Sequence, residues 1–388
     1  MRPSRRSLAG LIAPLTCLLA LLPSAPAADV TVRDAAGFRA AVAAAQPGTR
    51  ILLAEGSYGG GFAFANLRGE PGRPIVIASA DPKKPAVFRD AKTGLHLSNP
   101  RHVELRDLVF TVLYANGLNI DDGGRREENG AHHVVLHGLR VSDVGGGGNE
   151  DGIKLSGLTD FRVEACVVER WGASGSGIDL VGCHRGEITG STFRHTNPPG
   201  ANGVQCKGGT SAIVIRGNQF LNTGGRGVNL GGSTGRAFFR PPLAGPGPHA
   251  EARNLRVEGN TFVGCVAPVA FVGVDGAAVR YNTIERPGRW ALRILQENRA
   301  PDFMACRHGQ FTDNVILFET ARWAEGGVNV GPGTAPETFT FARNWWYAVD
   351  RPERSEPKLP KEEMDGVFGR DPAAAKDIAG ASAWREGR

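Results

Sequence analysis

A four-residue unit recurs along most of this chain: a small residue, then apolar, variable and apolar positions. It reads Gly94 followed by LHL, Gly117 by LNI, Gly152 by IKL, Gly177 by IDL, Gly203 by VQC, Gly227 by VNL, Pro268 by VAF, Ala291 by LRI and Gly327 by VNV. The short steps between units are 23 to 26 residues, and three longer steps of 35, 41 and 36 carry insertions. A second unit follows the first once per coil, as LVF at 108, LRV at 139, CVV at 166, STF at 191, NQF at 218, NTF at 260, NTI at 282, NVI at 314 and NWW at 344. Short alternating strands at this period, parted by Gly, Asn and Asp, leave no space for a helix within the coil. Such coils stack into parallel sheets with ~4.8 Å between equivalent residues. The expected fold is all-β, a parallel β-helix solenoid.

The register sorts residues into roles. Phe110, Phe193, Phe220, Phe262, Ile284, Ile316 and Trp346 fall in one inward stack. The asparagines at 218, 260, 282, 314 and 344 occupy one bend and are expected as a structural ladder, since stacked buried amides satisfy one another. Cys166 and Cys206 also point inward, and the five cysteines beyond the leader show no paired spacing, so neither a disulfide framework nor a metal motif is read. Glycine, at 54 of 388 residues against an ordinary ~7%, fits many tight turns.

An open stack exposes strand edges and needs a cap. The stretch from 34 to 48 supplies a short amphipathic helix carrying Phe38 and Val42 that ends before Pro47-Gly48. We expect one β-helix domain over 28 to 349 and an irregular, charged, Pro-rich tail over 350 to 388. Residues 1 to 27 place Arg2, Arg5 and Arg6 before an apolar run and a small-residue Ala-Pro-Ala, the pattern of a cleaved signal peptide. The expectation is a secreted or periplasmic monomer with no membrane span. Losing the leader's three arginines leaves 42 basic against 39 acidic residues, a net charge of +3 in place of +6. That balance provides no basic field for nucleic acid.

The variable position of the first unit faces outward. Coil by coil it is His96, Asn119, Lys154, Asp179, Gln205, Asn229, Ala270, Arg293 and Asn329, and two residues on lie Asp121, Ser156, Val181 and Lys207. Amides and charges thus gather on the middle coils of one face. All three insertions, 121 to 131, 235 to 252 and 296 to 310, follow this same strand and are expected to wall a groove over it. The second brings Arg236, Phe238, Phe239 and Arg240, suited to pairing with carboxylates and stacking on sugar rings. Its phenylalanines have a plainer alternative, pinning the loop to the barrel. His132 and His133, adjacent in a strand, are expected on opposite faces and are assigned no role.

The stretches AAVAAAQPGTRILLAEGSY, GRPIVIASADPKKPAVF and NGVQCKGGTSAIVIRGNQF resemble the pectate-lyase-like, right-handed parallel β-helix proteins, in particular the alginate lyase and chondroitinase B family of polysaccharide lyases. That resemblance implies a sheet lysine acting as base beside a uronate carboxylate, an arginine one coil on, and calcium held by nearby acids. Lys207 matches the lysine by context. The outward position one coil on is Asn229, with Arg226 three residues earlier, and Gly200 and Asn202 stand where acids would be expected. Calcium is therefore left as a cofactor with no evident ligands, and the metal assignment as unknown.

Elimination from a uronic glycoside needs a base, a neutralised carboxylate and a proton for the departing oxygen. The sequence-based assignment makes Lys207 the base, with Arg226, Lys154 and Asp179 around it as catalytic candidates. Gln205, Asn229, Asn119, Arg293, Arg236, Phe238, Phe239 and Arg240 are substrate-binding candidates, and the partner is an anionic polysaccharide. Lys154 and Asp179 have a structural reading as a cross-strand ion pair. Two alternatives stand beside the lyase: a glycoside hydrolase using Asp179 with another acid, and a non-catalytic carbohydrate-binding protein.

Overall fold

The computed structural model describes residues 29 to 125 and 130 to 374, so the expected signal peptide lies outside the described residues. Three long sheets of 13, 12 and 10 strands run the length of the molecule, and the strand pairings between successive coils are parallel. This is the all-β solenoid anticipated from the repeat. The first repeat unit forms the 10-stranded sheet, with His96, Asn119, Lys154, Asp179, Gln205, Asn229, Ala270, Arg293 and Asn329 in direct register. The second unit forms the 12-stranded sheet.

Coil spacing shows directly in the core. Phe193 stacks on Phe220 at 4.9 Å and Phe220 on Phe262 at 4.7 Å between ring centroids, the separation of neighbouring strands. Each is fully buried, a gain of about 1.5–3 kcal/mol per side chain. Beside this stack runs the asparagine ladder. Asn218 Nδ2 donates to Asn260 Oδ1 at 3.0 Å, Asn260 to Asn282 at 3.0 Å, Asn282 to Asn314 at 3.0 Å and Asn314 to Asn344 at 2.9 Å. The residue before each ladder position is left-handed: Gly217, Gly259, Tyr281, Asp313 and Arg343, with φ from 53° to 65°. A left-handed non-glycine residue costs about 1–2 kcal/mol, and the ladder's hydrogen bonds hold the bend in place against it.

Both ends are closed. The helix Ala35–Ala43 starts at Asp34, whose side chain accepts from Gly37 N at 2.7 Å, and stops earlier than expected, with 44 to 48 forming a turn. Its Phe38 is fully buried and meets Phe62 at 4.9 Å and Phe88 at 5.7 Å, plugging the first coil. The far end corrects the expected irregular tail. Glu363–Met364 and Val367–Phe368 add strands to two sheets, and Glu363 ends the ladder by accepting from Asn344 N at 2.9 Å. A carboxylate can do this where the next asparagine is missing, because it offers acceptors to the last unpaired amide.

Candidate functional site

All three insertions follow strands of the 10-stranded sheet: Leu118–Asp121, Arg226–Gly231 and Leu292–Leu295. The second lies down against the sheet's edge, over the left-handed turns at Gly157, Gly182 and Gly209. A Cβ at any of these glycines would collide with Arg240 or with its partner Asp122, so only glycine admits the loop at this distance. Between loop and sheet lies a cleft of about 550 Å³. Asn119, Lys154, Ser156, Val181 and Lys207 form its floor, and Thr234, Phe238 and Arg240 its wall. Asp121 and Lys207 are three coils apart in one register, so the floor runs about 14 Å across the coils.

Charges on this floor are arranged in depth. Lys154 donates to Asp179 Oδ2 at 2.7 Å and to Asp151 Oδ2 at 2.9 Å. Lys207 Nζ lies 3.2 Å from Asp179 Oδ1, close enough for an ion pair, yet that oxygen accepts no hydrogen bond. Arg240 pairs with Asp122 through Nε at 2.5 Å. Asp122, Asp151 and Asp179 are almost wholly buried, whereas their cationic partners line the cleft. The carboxylates therefore anchor the cations from behind, and the cations face the cleft.

These environments act on protonation. Burial depresses the pKa of Lys154, but Asp179 and Asp151 outweigh it by charge and hydrogen bonding and raise it, so this amine stays charged. Burial, then the negative charge of Asp179, push Asp151 up to about 6. At the cleft's lower end, His96 Nε2 and Asp121 Oδ2 are 2.6 Å apart, and Ser98 Oγ donates to Asp121 Oδ1 at 2.7 Å. The hydrogen bond to Asp121 raises the pKa of His96.

The remaining candidates divide. Asn119 lines the cleft and donates to Asp121 at 3.3 Å, and Gln205 accepts from Lys207 at 3.2 Å. Phe238 is 62% exposed in the cleft wall, while Phe239 is buried and packs edge-on against Phe303, pinning the loop. Arg226 does not reach Lys207. It is paired in register with Asn202, five residues and about 16 Å along the strand from Lys207, and binds Glu297 of the third insertion. Asn229 keeps its place in the column but is fully buried, donating to Gly231 O at 3.3 Å. Arg236 pairs with Asp302 outside the cleft lining, and Arg293 donates to Asn329 at 3.0 Å beneath the Trp290 ring.

One supporting residue was not legible in the sequence. Glu251, fully buried, accepts from Gly208 N at 3.1 Å, Thr234 Oγ1 at 2.8 Å and Asn298 Nδ2 at 3.0 Å. It ties the turn after Lys207 to both larger insertions, and no repeat position announces it. His132 and His133 also depart from expectation, since their Nδ1 atoms lie 2.9 Å apart. Burial, then the charges of His133 and His102, push the pKa of His132 down to about 4.

Among the described residues, the carboxylates near this cleft do not offer calcium a ligand set. The ion requires six to eight oxygen ligands, and the nearby carboxylates of Asp121, Asp122, Asp151 and Asp179 are each engaged by a histidine, lysine or arginine.

A search of curated proteins finds no match. Among solved structures, the fold is similar to that of alginate lyase from Paenibacillus sp. str. FPU-7, at 18% identity and TM-score 0.52, covering 79% of this chain and 98% of that one. It is also similar to the GH136 lacto-N-biosidase from Eubacterium ramulus, at 11% identity and TM-score 0.53, covering 83% of this chain and 62% of that one. Pectate lyase Pel9A aligns at 16% identity and TM-score 0.49, covering 75% and 73%. The family described as right handed beta helix region matches residues 88–241 and 127–344. The coils, the register and this match, which spans more than half of the sequence, lead to one conclusion: the chain belongs to the right-handed beta helix family.

Proposed function

We propose that the protein is an exported lyase that cleaves a uronic-acid-containing polysaccharide by β-elimination. The observation that carries this reading is the convergence of Lys154, Lys207 and Arg240 on one cleft, each braced from behind by a buried carboxylate. The positive charges of Arg240 and Lys154, which line the cleft, suit a sugar carboxylate, and Phe238 offers a ring face to the polymer. Likeness of fold to an alginate lyase agrees with this substrate class.

Lys154 is held in its charged form by two aspartates and serves as an electrostatic partner. Lys207, without a hydrogen bond to Asp179 Oδ1, is the freer amine and acts as the base. In its neutral form it removes the proton from the carbon beside the carboxylate. The electron pair forms the new C=C bond, the glycosidic C–O bond breaks, and the departing oxygen takes a proton from water while the Lys207 ammonium returns its own to solvent. A hydrolase built on Asp179 is less well supported, because that carboxylate is 1% exposed and fixed between two lysines.

Incubating the protein, begun at residue 28, with a panel of anionic and neutral polysaccharides tests the reading. New unsaturated ends, seen by their ultraviolet absorbance, are expected on an anionic polymer alone. Reducing ends without unsaturation would identify a hydrolase. The proposed export is checked by the amino-terminal sequence of protein recovered outside the cytoplasm, expected to begin at residue 28.

A further inference from the structure

Away from the cleft, three imidazoles converge on the 13-stranded sheet. His102 belongs to the strand Arg101–Arg106, and His132 and His133 to its neighbour Ala131–His137. Pairing joins His132 to Arg101 and Val134 to Val103, leaving His102 and His133 between these pairs with φ of 48° and 54°. A left-handed residue breaks the side-to-side alternation of a strand, as in a β-bulge. His133 therefore turns toward His132 instead of away from it.

The bend itself belongs to the fold, since Asp160, Arg185, Ala212 and Asn254 in later coils are also left-handed. What is particular to these two neighbouring coils is that their imidazoles meet, whereas His308, left-handed at the same bend of a later coil, pairs with Asp275 at 2.9 Å instead. His102 stacks on His133 at 4.5 Å between ring centroids and meets His132 edge-on at 5.2 Å. One ring nitrogen from each of the three lies within 4.8 Å of the others. His102 and His133 line a cavity of about 560 Å³. Asp160, which also lines that cavity, is clasped by Arg185 at 2.8 and 2.9 Å.

We infer that His102, His132 and His133 bind one divalent transition-metal ion of the zinc type, with a further coordination position open to the cavity. Zinc–nitrogen bonds of about 2.0–2.1 Å in tetrahedral geometry place ligand nitrogens roughly 3.3 Å apart. The His132 and His133 Nδ1 atoms are 2.9 Å apart and one nitrogen of each of the three rings lies within 4.8 Å of the others, so ring rotation can bring three nitrogens to that spacing. Three imidazoles favour zinc, copper or nickel over the oxygen-seeking calcium and magnesium. The site is independent of the proposed cleft chemistry.

Untagged protein, stripped with chelator and dialysed against zinc chloride, should retain one ion per chain, and cobalt(II) in its place should give the intense visible bands of a nitrogen-rich tetrahedral site. His102→Asn and His133→Asn suit the test, because asparagine tolerates left-handed backbone and its amide is a poor zinc ligand. Each should lower zinc affinity by about tenfold or more with the circular dichroism spectrum unchanged. Failure of the parent protein to retain zinc would overturn the inference, as would retention at full affinity in both variants.

Discussion

Asp179 shares its carboxylate between two lysines, one oxygen 3.2 Å from Lys207 and the other 2.7 Å from Lys154. Because Asp179 is buried while both ammonium groups line the cleft, one residue sets the position of two. Asp179→Asn leaves the lysines facing a neutral amide and each other. The expected loss is about 3 kcal/mol, read from urea unfolding. A loss below about 1 kcal/mol would mean that the pairing does not organise this sheet.

Asp151 gives a prediction in pH. Its folded pKa is raised to about 6, above the ordinary carboxylate value, so the folded state binds the proton more tightly than the unfolded one. The contribution of this group to stability is thus greatest at low pH and declines as pH rises from about 4 to about 6. Asp151→Asn removes that dependence. The variant should lose more stability relative to the parent at pH 4 than at pH 7.5, by on the order of 2 kcal/mol. Parallel stability curves across this range would show that Asp151 is not perturbed.

The asparagine ladder is structural. Asn260→Leu removes an acceptor from Asn218 and a donor from Asn282, and should cost about 1–3 kcal/mol. It should not alter turnover by the folded protein. Loss of activity at unchanged stability would transfer the ladder to the functional site.

The carboxy-terminal segment closes the solenoid. Truncation after residue 349 removes Glu363 from Asn344 and Trp346, and Ser355 Oγ from Ala348 N, which it accepts at 2.9 Å. Several buried donors lose their acceptors, so the melting temperature should fall, and Glu363→Ala should reproduce part of the fall. An unchanged melting temperature in the truncated chain would make the segment peripheral.

Coils, sheets, core stack and ladder were legible in the sequence because a solenoid converts a linear period directly into register. The outward column from His96 to Asn329 follows from alternation alone. The cleft was legible in its floor and in the wall that Phe238 and Arg240 supply, but not in the partners that hold its cations. Arg240 reaches Asp122 and Arg226 reaches Glu297 through insertions that carry no repeat, and nothing in their spacing announces those partners. Arg226 belongs to the coil next to Lys207, yet a coil is wide as well as stacked, and the two sit at opposite ends of their strands. His133 escaped alternation because a left-handed residue turns its side chain out of the two-fold pattern.

Turnover by Lys207→Ala on an anionic polymer that the parent cleaves is the most direct test of the proposed chemistry. A base acts on the transition state, so formation of unsaturated ends should fall by about 10²–10⁴-fold with polymer binding retained. Phe238→Ala, at an exposed wall position, should instead raise KM and leave kcat nearly unchanged. Cleavage by Lys207→Ala at the parent rate would contradict the account and leave Lys207 as no more than a cation on the cleft floor.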